Sequence, residues 1–135
     1  MGSWSPGNKK SEKFENGNWS DLQEAPVHLS FRSYAAIFYG GNFYYFGGYD
    51  LTSILRLSAA SWTWSIVGQL NASRNGHGVI LVDNKFMVIG GSDIRPTEAC
   101  LLRNGRFNCE EKRSSLLKDF NTPILFLVDD NYQDC

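Results

Sequence analysis

Two apolar tetrads, each closed by a pair of glycines, constrain the fold of this chain more than any other feature. They are Phe43-Tyr44-Tyr45-Phe46-Gly47-Gly48 and, forty-three residues on, Phe86-Met87-Val88-Ile89-Gly90-Gly91. An apolar four-residue run reads as a buried strand, and a glycine pair after it supplies the positive φ of a tight turn or a close approach of backbones. Gly47, Gly48, Gly90 and Gly91 are therefore expected to be structural and not ligand contacts.

A true repeat carries its flanks with it. Arg32 and Arg74 lie forty-two residues apart, each ahead of an apolar run, Ala35 to Tyr39 and Val79 to Val82. Asn16-Gly17-Asn18-Trp19 returns as Asn104-Gly105-Arg106-Phe107, eighty-eight residues away, and Trp64 falls near the midpoint between Trp19 and Phe107. Val82-Asp83-Asn84-Lys85-Phe86 is echoed by Val128-Asp129-Asp130-Asn131-Tyr132. The period is near forty-four residues, and Trp19 and Trp64 take structural places within it.

Four short strands per period, glycines after the second and an aromatic on the fourth resemble the kelch repeat, a four-stranded blade of a β-propeller. Trp64, Leu70, Arg74, His77 and Gly90-Gly91 stand in that family's order, while Leu57 and Cys100 replace a tyrosine of its pattern. The resemblance implies an all-β chain with two complete four-stranded antiparallel blades, over 31–67 and 70–110. Parts of flanking blades are expected over 11–30 and 114–135, after a frayed segment over 1–10. In the first blade the strands are expected near Ala35 to Tyr39, Phe43 to Phe46, Ile54 to Leu57 and Trp62 to Ile66. A helical turn over Ser114 to Phe120 and a further strand from Ile124 to Val128 complete the expectation. That last blade reads as cut in mid-strand, so the chain is expected to be a piece of a larger propeller, or to join a second copy through incomplete blades.

Turn chemistry supports the hairpins independently. Asn16-Gly17 and Asn104-Gly105 suit type I′ turns, with Phe14 opposite Trp19. Gly40-Gly41 and Asp83-Asn84 join the first two strands of each blade. The strands Val79 to Val82 and Phe86 to Ile89 are apolar without alternation, which predicts cover on both faces.

The Asn104-Gly105 turn also fixes a cysteine pair. Opposed positions about it sum to 209, as Cys100 and Cys109 do. They form a non-hydrogen-bonded pair, with Cα atoms close enough for a disulfide; the alternative is two reduced thiols. Cys135 is then unpaired. A bridge would favour an extracellular setting, although residues 1–10 lack the apolar core of a signal peptide. The sequons at Asn18 and Asn71 occur at about the frequency chance allows and decide nothing.

Charge and motifs narrow the function. Thirteen basic and fourteen acidic residues give a net charge of -1, leaving no field to attract nucleic acid or an anionic membrane. No apolar run is long enough to span a membrane as a helix. Three cysteines and two isolated histidines, His28 and His77, do not supply a metal-ligand spacing, and no nucleophile or phosphate-binding motif occurs. No catalytic residue, metal or cofactor is expected. The functional surface is instead the loop face that carries Tyr49, Asp50, Arg74, Asp93 and Arg95, a mixture that interface centres favour. Kelch propellers mostly bind proteins, so the resemblance implies a non-catalytic protein-interaction module. The other readings are a piece of a kelch-containing enzyme of the galactose oxidase kind, or of a secreted structural glycoprotein.

Overall fold

The computed structural model of the chain describes residues 9–27, 34–48, 51–91 and 96–112. Among them the chain is all-β, without helix. A hairpin of β1 (Glu12–Glu15) and β2 (Asn18–Asp21) precedes two four-stranded antiparallel sheets. The first runs in chain order through β3 (Ala35–Tyr39), β4 (Asn42–Gly48), β5 (Leu51–Ser58) and β6 (Trp64–Gln69). The second does the same through β7 (His77–Val82), β8 (Lys85–Gly90), β9 (Thr97–Arg103) and β10 (Arg106–Lys112). The expected strands from Ile124 and the helical turn from Ser114, like Cys135 and the 114–135 region, lie outside the described residues.

The turns follow their chemistry. In four hairpins both central residues have positive φ: Asn16-Gly17 (51° and 80°), Gly40-Gly41 (56° and 76°), Asp83-Asn84 (47° and 60°) and Asn104-Gly105 (50° and 74°). These are the dihedrals of a type I′ turn, whose twist matches that of the paired strands. Phe14 opposes Trp19, with ring centroids 5.1 Å apart. The fourth strand of the first sheet begins later than expected, at Trp64 and not Trp62. Trp62 is held in the turn, its φ is 54°, and its amide donates to the Ser58 carbonyl at 2.8 Å.

The two sheets pack face to face with their strands in the same order: β3 lies beside β7, and β6 beside β10. The core is the space between them. Tyr44, Phe46, Ile54, Val67 and Leu70 meet Phe86, Val88, Cys100 and Phe107, all buried. Five rings dominate it: Phe46 lies stacked on Phe86 at 5.8 Å and edge-on to Phe107 at 5.1 Å, Tyr44 is edge-on to Phe107 at 5.2 Å, and Tyr39 closes on Phe86 at 5.4 Å. Aromatic pairs in such geometries add about 0.5–1.5 kcal/mol each beyond the area they bury.

Two glycines permit this approach. A Cβ on Gly68 of β6 would lie 2.7 Å from the Phe107 Cβ and 3.0 Å from its carbonyl oxygen, so the outer strands can close only where no side chain stands. Gly91, at φ 120°, would bring a Cβ to 3.3 Å from the Asn75 carbonyl oxygen. Gly47, Gly48 and Gly90 also take positive φ at the ends of β4 and β8, and the pairing of β4 with β5 shifts register between Phe46 and Gly48, a bulge that glycine accommodates.

The strands β7 and β8 were expected to be covered on both faces; among the described residues Phe86 and Val88 are buried on one face, while Ile80, Met87 and Ile89 on the other are half-buried and Val82 is 36% exposed. The first sheet lies on one side only, and no described strand lies on the other. By contrast β5 buries Ile54 on one face and Leu55 and Leu57 on the other.

Cys100 and Cys109 oppose each other across β9 and β10 and are joined in a disulfide, with Cα atoms 4.0 Å apart. The bridge closes a short loop, so replacing both cysteines by alanine should lower stability by about 2–4 kcal/mol in denaturant titration. Peptide mapping of non-reduced protein made in an oxidising compartment should recover the two segments joined. Two free thiols there would contradict the pairing.

Candidate functional site

The site is built around the link between the two sheets, residues 70–76. It runs past the glycine ends of β4 and β8, where Arg74 bridges Gly48 and Asn75 lies against Gly91. Leu70, buried in the core, fixes its start, and its amide donates to the Thr52 carbonyl at 2.8 Å. Asn71 follows, with its backbone amide and its side-chain amide both donating to Glu98 Oε2, at 2.7 and 3.0 Å. The same side-chain amide donates to the Cys109 carbonyl at 3.1 Å.

Arg74 is the centre of the arrangement. Its backbone forms a bridge with Gly48 of the first sheet, while its guanidinium reaches into the second. Nη2 stands 3.1 Å from Glu98 Oε1, Nε donates to the same oxygen at 3.3 Å, Nη1 donates to the Gly90 carbonyl at 3.0 Å, and Nη2 also donates to the Pro96 carbonyl. Both charged side chains are fully buried. A buried ion pair holds only where hydrogen bonds fill the remaining donors and acceptors, and here both carboxylate oxygens and all three guanidinium nitrogens have partners.

His77 opens β7 and joins the sheets a second time, its Nε2 lying 2.7 Å from the Phe46 carbonyl. Burial pushes its pKa down, against the opposing pull of the Phe46 carbonyl. The neutral ring therefore donates its Nε2 proton to that carbonyl. Tyr34 lies at the same end of the first sheet, edge-on to Tyr45 at 6.2 Å and against Gly48; burial pushes its phenol up to about 12.

The residues singled out in the sequence are distributed unevenly. Tyr49, Asp50, Asp93, Arg95 and His28 lie outside the described residues. Arg74 was expected on a partner-binding loop, but it is 2% exposed and engaged with Glu98, Gly90 and Pro96, so its charge faces the interior. Trp64 sits against Tyr45, with centroids 5.3 Å apart. Trp19, expected to be structural, is 64% exposed beside Phe14. Asn18 is exposed on the hairpin, whereas the Asn71 amide that a glycan would occupy is bound to Glu98 and Cys109.

Two participants escaped sequence reasoning, Glu98 and the side chain of Asn71. A signal existed for Glu98: it is the one charge in Thr97-Glu98-Ala99-Cys100-Leu101-Leu102, at the position where the first sheet has Leu55. A carboxylate inside an apolar strand asks for a cation, and Arg74 was available.

Elsewhere, an open groove of about 480 Å³ runs between the outer strands β6 and β10, lined among others by Gln69, Asn71, Arg106 and Asn108. Among the described residues no group of three or more His, Cys, Asp or Glu side chains could hold a metal ion. No family model matches the chain, and no curated protein is similar enough to count as a match.

Removing one member of a buried ion pair leaves the other charge without its counter-ion. Arg74→Met should therefore lower stability by about 3–5 kcal/mol, and the double variant Arg74→Met/Glu98→Leu should lose less than the sum of the two single losses. Chemical denaturation of the four proteins measures the coupling. Additive losses, or an Arg74→Met protein as stable as the parent, would remove the ion pair from its central place.

Proposed function

We infer that the chain is a segment of a kelch-type β-propeller that acts as a non-catalytic protein-interaction module, with its partner surface on the loops beyond the glycine pairs. The observation that carries this reading is the parallel stacking of two four-stranded meanders, first strand beside first and fourth beside fourth. Consecutive propeller blades stack in that manner, whereas a sandwich need not keep strand order. The repeat of forty-three residues, the glycine pair at the end of each second strand and the position of the link give the reading the same support from the sequence.

The consequence for function lies in rigidity. The loops after β4 and β8 and the link between the sheets leave the scaffold at one end, where Arg74, Glu98 and His77 lock the two sheets together. A fixed frame sets where the ends of such loops stand, and binding residues sit disproportionately on loops carried by a rigid scaffold. Tyr49 and Asp50, between β4 and β5 in sequence, and Asp93 and Arg95, between β8 and β9, carry the aromatic, acidic and Arg chemistry of interface centres. Arg74 contributes by holding the frame and not by touching a partner. The disulfide agrees with an oxidising compartment, so a secreted partner is the first to seek.

The test is a binding measurement with a combined loop variant, Tyr49→Ala/Asp50→Ala/Asp93→Ala/Arg95→Ala. Affinity purification with the parent chain should yield a protein whose binding to the variant is about tenfold weaker or worse, at unchanged melting temperature. A partner that binds the loop variant as well as the parent would overturn the assignment of this face.

A further inference from the structure

The two halves of the disulfide are unequally placed. Cys100 on β9 is fully buried and belongs to the core with Phe86 and Phe107, whereas Cys109 on β10 is half-buried and lines the groove between β6 and β10. The neighbouring strands differ in the same sense. β9 lies between β8 and β10, while β10 ends the sheet with no described strand beyond it. On the β8 side Cys100 is paired with Phe86, which is itself buried.

Thiol–disulfide exchange is a displacement at sulfur. The incoming thiolate approaches in line with the bond that breaks, on the side away from the departing sulfur, so access to that side decides which sulfur is attacked. The bridge here runs from β9 to β10. A thiolate attacking Cys100 would have to arrive from β8, through Phe86. One attacking Cys109 arrives from the open edge of β10, at the groove.

We propose that Cys109 is a thiol-exchange site, entered from this groove by a low-molecular-weight thiol. The thiolate sulfur bonds to Cys109 Sγ, the bond to Cys100 Sγ breaks, and Cys100 leaves as a thiolate that takes up a proton. The products are a mixed disulfide at Cys109 and a thiol at Cys100. A second thiol that attacks the added sulfur frees Cys109 and completes a two-electron reduction, in which two small thiols are oxidised to their disulfide. The site also adjoins the link between the sheets. Asn71 lines the same groove, and its side-chain amide donates both to the Cys109 carbonyl and to Glu98 Oε2, on the carboxylate that balances Arg74. An adduct at Cys109 stands beside the residue that holds this carboxylate, so exchange weakens the lock between the sheets.

Two measurements on the full chain carrying Cys135→Ser, in which only the bridge can react, test the site. The first is reduction of the folded protein by dithiothreitol. Its rate should rise in proportion to the dithiol and change little with urea below the unfolding transition. The second adds Cys100→Ser, which leaves Cys109 as the one thiol, or Cys109→Ser, which leaves Cys100. Each is checked for a cooperative melt, with alanine in place of serine where the melt is poor. Oxidised glutathione should form its adduct at Cys109 at least about tenfold faster than at Cys100, and the Cys109 adduct should lower the melting temperature. Reduction that saturates at the rate of unfolding would overturn the proposal, as would equal rates at the two cysteines, a faster rate at Cys100, or a chain with no bridge to reduce. An adduct that leaves the melting temperature unchanged would overturn the tie to the lock.

Discussion

The ion pair between Arg74 and Glu98 is the constraint on which the relative placement of the sheets depends. Its two charges lie 3.1 Å apart with both side chains removed from water. Desolvating them costs several kcal/mol for each ion, and the attraction between them offsets this only if the geometry is held. The geometry is held from both sheets. The Arg74 backbone pairs with Gly48, Glu98 and Gly90 belong to the second sheet, and Asn71 fills the second carboxylate oxygen. A rotation of one sheet against the other would break the bonds that make the burial tolerable. His77 adds a neutral hydrogen bond to Phe46 that the same rotation would break.

Once the angle is fixed, the aromatic core follows. Phe46, Phe86 and Phe107 lie within 5.8 Å of one another by ring centroid. They can do so because Gly68 presents no side chain to Phe107. The polar link and the apolar core therefore do different work. The core supplies most of the apolar burial, which is not directional, while the link selects one stacking among those the apolar faces would tolerate.

Much of this was legible in the sequence, and for identifiable reasons. Gly40-Gly41, Asp83-Asn84, Asn16-Gly17 and Asn104-Gly105 determine their hairpins through local φ preferences, so those registers, and with them the Cys100–Cys109 bridge, could be derived by counting. The turn after β5 could not. It has no glycine, it places Trp62 at positive φ, and its greater length shifts the fourth strand: Trp64 opposes Leu57, whereas Phe107 opposes Leu102 and Cys109 opposes Cys100. The aromatic residues aligned by the repeat therefore do not occupy the same rung. Arg74 misled for a different reason. An arginine in a polar link reads as solvated until its partner is found, and Glu98 lies in a strand twenty-four residues away, a tertiary contact that no local pattern encodes. At Met87 and Ile89, both half-buried, the apolar run records the capacity to be covered and not the cover itself.

The central claim is that the sheets stack strand for strand in the same order, and proton–proton contacts in solution test it most directly. In a nuclear Overhauser spectrum of the full chain, the Tyr44 ring should show cross-peaks to Phe107, 5.2 Å away between centroids, and the Phe46 ring to Phe86, 5.8 Å away. The β3 side chains should contact β7, and β6 should contact β10. Contacts of β3 with β10, in a protein whose individual sheets keep their registers, would mean that one sheet is turned end for end and would contradict the account.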